Sequence, residues 1–121
     1  MKERLGVLLQ ANVITQQAHN GCLNAIAVID KQLALCHNNE QYQMAMTHLA
    51  RAADRIWQQE AVEEGLDPDV LEEIEADEQF PAVLALHQQL LQAMGLVTLP
   101  ATEESFMLLN VYSLMQISNG D

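Results

Sequence analysis

The run QYQMAMTHLARAADRIWQQE, residues 41–60, decides the class of fold. It holds neither glycine nor proline, and with about 100° between successive residues Met46, Leu49, Ala53 and Ile56 fall together. That is the pattern of a helix with one buried face. His48 lies off this stripe. It shares a second side with Met44, Arg51 and Arg55, so two guanidinium groups follow the imidazole at i+3 and i+7.

Working outward, the segment CHNNEQ, residues 36–41, carries two consecutive asparagines and reads as a connection. Before it, Thr15 is placed to cap a helix whose apolar positions Cys22, Leu23, Ile26, Ile29 and Leu33 recur at three- and four-residue steps. On the other side, Gly65 gives a stop and Asp67-Pro68 a fresh start, since aspartate suits the cap and proline the first turn. Pro81 interrupts again. It separates the acidic residues 68–76 from FPAVLALHQQLLQAMG, residues 80–95, where Gly95 is placed at the C-terminal cap. After a short loop with Pro100 comes TEESFMLLNVYSLMQI, residues 102–117, with Thr102 as N-cap and Phe106, Leu109, Ser113 and Ile117 as the expected inward stripe. Strand-length alternation is almost absent. The expectation is an all-α single domain over residues 1–121, about five helices in a compact bundle.

The chain has 121 residues, half of them apolar, enough to bury a core without disulfides or metal. Its two cysteines are Cys22 and Cys36, and the opening MKERLGVLLQ is too short and too soon polar for a secretory segment. A cytoplasmic protein with reduced thiols is expected. Five Lys plus Arg against 17 Asp plus Glu give a formal charge of -12. Such a surface repels phosphate backbones and anionic lipid, so neither direct nucleic-acid binding nor a membrane role is expected. Ten of the acids lie between Glu60 and Glu78. They form either a solvated helix face and loop or a landing surface for a basic partner.

Two arginines beside His48 favour its neutral, nucleophilic form, and could bind the oxygens of a phosphoryl group placed on it. The alternative is a polar residue on a helix flank. His19, Cys22, Cys36 and His37 make a zinc site only on paper, because Cys36 and His37 are adjacent; no metal is expected. His87, one turn after Val83 and one before Leu91, reads as a core-flank histidine, and Tyr42 and Trp57 as core or contact anchors. There is no glycine-rich phosphate loop, nucleophile elbow or HExxH, and the acidic pairs are sequence neighbours that diverge around their helices. Neither an enzyme nor a cofactor is expected.

The order of motifs resembles the PTS regulation domain, a helical module of bacterial antiterminators and activators of sugar operons. The likeness runs through RLGVLLQANVIT, residues 4–15, MTHLARAADRI, residues 46–56, and LPATEESFMLLNVYSL, residues 99–114. His48, Leu49 and Arg55 match the family's middle motif, and Glu103, Phe106 and Met107 its late one. By this resemblance His48 inherits a phosphoacceptor role, with Arg51 and Arg55 as phosphate partners, a histidine phosphocarrier of the phosphotransferase system as donor, and a homodimer as the responding assembly. Asn110 stands where the family has its second histidine, and an amide cannot be phosphorylated. The resemblance therefore implies a stand-alone regulatory module acting on transcription or on a partner protein of a sugar or metabolite operon. The alternative is a helical binding module that keeps the fold without the phosphorylation.

Overall fold

The computed structural model describes residues 1–97 and 99–120. These form six helices: α1 (Lys2–Gln10), α2 (Gln16–Gln32), α3 (Glu40–Trp57), α4 (Pro68–Ala76), α5 (Phe80–Met94) and α6 (Ala101–Gly120). The all-α bundle is as expected, with one helix more. The addition is α1, whose only buried residue is Leu5, so its sequence carries little periodic signal. Among the described residues no helix is long and apolar enough to cross a membrane.

Four helices close a ring: α2 packs on α3, α3 on α6, α6 on α5, and α5 back on α2. Inside it lie Cys22, Ile26, Ile29, Tyr42, Met46, Leu49, Val83, Leu90, Met107, Val111 and Leu114, all at most 1 % exposed. Outside it, α1 rests on α2, and α4 lies across α5 and α6.

The caps explain most boundaries. Thr15 accepts a hydrogen bond from the Ala18 amide at 3.2 Å, and Asn39 accepts one from the Tyr42 amide at 3.0 Å, so α3 begins at Glu40. Asp67 accepts from the Asp69 amide at 2.8 Å and Pro68 opens α4. Gly95 ends α5 with φ 78°, a left-handed conformation that costs a glycine little. Gln59, just past α3, takes φ 60° without being glycine, and there the chain turns out of the helix. This ends α3 at Trp57, short of residue 60.

Two expectations for α6 need correction. The helix starts at Ala101, which puts Thr102 inside the first turn, where its carbonyl accepts the Ser105 hydroxyl at 2.6 Å instead of its side chain capping the helix. The inward residues are Met107, Val111 and Leu114, with Glu103 one turn earlier, while Phe106, Leu109, Ser113 and Ile117 are only half-buried. The physical reason is that α6 spreads its polar and apolar residues around the helix, with no dominant apolar face. Its rotation is set by its neighbours rather than by its own periodicity.

Candidate functional site

His48 is exposed on α3, where it borders two cavities that share His48, Leu109 and Asn110. The first, about 420 Å³, runs between α3 and α6 and is also lined by Met44, Tyr112 and Gln116. The second, about 340 Å³, continues past Ala52 and Phe106 to Arg55 and Val62. Folding thus gathers three of the sequence candidates, His48, Arg55 and Asn110, at one seam between helices. Arg51 does not join them. It is exposed and lines a separate cleft of about 640 Å³, with Asp54, Glu60 and the α1–α2 turn.

Arg55 walls both the cleft and the smaller His48 cavity, and its charge is already matched. Its Nε donates to Glu103 Oε2 at 2.7 Å and its terminal nitrogen to Oε1 at 3.0 Å, a bidentate pair. The Glu103 side chain is fully buried and that of Arg55 about one-third exposed (34 %). Burial alone would push the Glu103 carboxyl up; the hydrogen bonds and charge of Arg55 and the Val62 amide outweigh it and hold it below the ordinary carboxylate range. Glu103 therefore stays ionised in the interior because Arg55 is there.

The same carboxylate also holds the segment between α3 and α4. The Val62 amide donates to Glu103 Oε2 at 3.2 Å, and the Leu66 amide donates to the buried Ser105 hydroxyl at 2.9 Å. Between them Gly65 lies so close to α6 that a Cβ there would sit 2.9 Å from Ser105 Oγ and 3.2 Å from Thr102 Cα. Residues 58–67 thus form a strap tied to the first turn of α6, and Val62 forms one wall of the cavity beside His48.

At the same end of α3, beside Arg55, the buried Asp54 carboxylate accepts both the amide and the hydroxyl of Thr15, fixing the start of α2. The cysteines and remaining histidines lie apart from the seam. Cys22 is buried, with its thiol pushed up to about 12 by burial, which makes it a poor metal ligand. His37 pairs with Asp30 at 2.7 Å and stacks on Tyr42. Among the described residues, no group of three or more His, Cys, Asp or Glu is placed to hold a metal ion.

His87 is a core residue, 1 % exposed, rather than the flank residue its neighbours suggested. Its Nε2 lies 3.4 Å from Glu104 Oε2, and its buried Nδ1 has no hydrogen-bond partner among the described residues. Burial holds the imidazole below the ordinary histidine range, against the pull of Glu104. A base depressed in the folded state contributes stability that is complete above its unfolded value, about 6.5, and lost as the pH falls below it. Wild type should therefore lose stability relative to His87→Gln between pH 7 and pH 5, measured by urea midpoints. A constant difference between the two proteins across that window would count against a buried neutral imidazole.

Compared with known proteins, the chain is 35 % identical over 119 residues to the uncharacterized protein YhfY of Escherichia coli (strain K12), an alignment covering 98 % of each chain. It is 35 % identical over 78 residues to an uncharacterized protein of Haemophilus influenzae, covering 64 % of this chain and 61 % of that one. No family model matches the sequence, and no solved structure matches the fold.

Proposed function

We propose that this chain, which belongs to the family of the Escherichia coli protein YhfY, is a helical regulatory module whose protein contacts are set by phosphorylation of His48. One observation carries the reading: His48 on α3 and Asn110 on α6, far apart in sequence, border the same two cavities together. These are the two positions that the resemblance to PTS regulation domains singles out. The exposure of His48 on the open side of this seam suits attack on a phosphoryl group carried by another protein.

The chemistry is a transfer between imidazoles. A neutral ring nitrogen of His48 attacks phosphorus, the P–N bond of the donor phosphohistidine breaks, and a P–N bond to His48 forms. The proton on the other nitrogen of His48 leaves to water, and the departing imidazole takes one up. The product carries close to two negative charges and three acceptor oxygens at the seam, where the Asn110 amide can donate to them. In this reading the donor is a phosphocarrier protein of the phosphotransferase system. The responding contact is a helix face shared with a partner or with a second copy of the chain.

The deciding experiment is transfer of radiolabelled phosphate from phosphoenolpyruvate through the general phosphocarriers, with wild type beside His48→Ala. An acid-labile label on wild type that is absent from the folded variant supports the assignment. No label on folded wild-type protein overturns it, and favours a binding module in which His48 only lines a cavity.

A further inference from the structure

Among the described residues, Arg55 is the one cation lining either cavity beside His48, and it lines the smaller; yet it is held by a buried carboxylate that also anchors a loop. We propose that the Arg55–Glu103 pair is a latch, that a phosphoryl group on His48 competes with Glu103 for Arg55, and that the competition frees the 58–67 strap from α6. The inference rests on the reading of His48 as a phosphoacceptor and names how that site is read out.

Three features carry it. His48 and Arg55 are two helical turns apart, about 10.5 Å along the axis of α3, and face one cavity, a gap that a phosphoimidazole and a long guanidinium side chain can close between them. A phosphate with nearly two charges is a stronger bidentate partner for arginine than a carboxylate with one. Glu103 cannot stay ionised and fully buried once Arg55 leaves, so it must move towards water or take up a proton; either change weakens its bond to the Val62 amide.

Repulsion acts in the same direction. The strap carries Glu60, Glu63, Glu64 and Asp67, all exposed, and a new anion at the seam repels them, with salt screening the effect over a Debye length of about 8–10 Å. Among the described residues, two hydrogen bonds to α6 oppose this, from Val62 to Glu103 and from Leu66 to Ser105, together with the packing of Gly65 on Thr102 and Ser105. When the strap lifts, the cavity loses its Val62 wall and Ala52, Phe106 and Leu109 become one open apolar groove beside the phosphate. The surface that appears suits an apolar side chain of a partner protein flanked by a basic group.

Hydrogen exchange at individual amides tests this on the full chain. Wild type and His48→Ala are treated with phosphoramidate, a small-molecule phosphoryl donor, and phosphate incorporation is read by intact mass. In phosphorylated wild type the Val62 and Leu66 amides should exchange about tenfold faster, while ring amides such as Ile26 and Leu49 hold their protection. His48→Ala should show no such change, even if other histidines are modified. Without any phosphate, Glu103→Gln should speed Val62 in the same way, and Ser105→Ala should speed Leu66, which keeps the test independent of either variant's folding. Wild type that carries phosphate on His48 yet keeps both amides protected overturns the latch and leaves the phosphoacceptor standing. Folded wild type that takes no phosphate on His48 overturns both.

Discussion

Arg55→Ala lowers the stability of this fold by about 3 kcal/mol, the lower end of the range for breaking a buried ion pair, because Arg55 is itself about one-third exposed (34 %). The loss comes less from the missing attraction than from what remains. Glu103, with no exposed side-chain surface, would be left with only the Val62 amide as partner, and must take up a proton or shift towards water at the expense of the packing around it. The double variant Arg55→Met with Glu103→Leu removes both charges at similar volume, and should recover most of the loss even though it makes no ion pair. Urea unfolding of wild type, the single and the double variant checks this. A single variant within about 0.5 kcal/mol of wild type would mean that solvent already compensates Glu103.

Leu49→Ala should cost as much or more, about 3–5 kcal/mol, with an unchanged dependence on denaturant. Leu49 is fully buried on α3, the helix that packs on both α2 and α6. A cavity there has rigid walls on both sides and cannot collapse, so the upper part of the range for leucine truncation applies. Val97→Ala is the matching control. Val97 is 94 % exposed, and its truncation should stay within about 0.5 kcal/mol. Calorimetry or urea midpoints on the two variants separate the effect of the ring from that of removing methyl groups anywhere.

The readable parts of the fold were those where local chemistry decides. Thr15, Asp67-Pro68 and Gly95 punctuate the chain as their side chains and backbone freedom require. The stripe Met46, Leu49, Ala53 is fully buried, with Ile56 partly so. Helix α6 defeated the same method, because a segment whose polar and apolar residues are mixed around its circumference has no preferred face until α3, α4 and α5 surround it. His87 failed for a related reason: neighbours at one-turn spacing cannot tell a flank from a core position when the helix between them is mostly apolar.

The candidate site was legible as residues but not as connections. His48, Arg55, Glu103 and Asn110 could each be singled out, and His48, Arg55 and Asn110 line one common cavity. That Arg55 grips Glu103, and that Arg51 opens onto a different cleft, depends on the crossing of α3 and α6, which no local pattern encodes. Asp54 was missed altogether. An acid next to Ala53 on an otherwise apolar stripe was the available signal, since a carboxylate in that position needs a buried donor, which Thr15 supplies.

The ring of four helices has a consequence for synthesis on the ribosome. α2 meets α3 early, but of these six helices α6 is made after the others and is the member that joins α3 to α5. Until it emerges, the side of α3 that it will cover has no partner, and the nascent chain must wait with apolar surface in water. The excess of acids is useful during that interval: residues 1–100 already carry 14 Asp plus Glu against five Lys plus Arg, and mutual repulsion keeps unfinished chains apart while the bundle is still open.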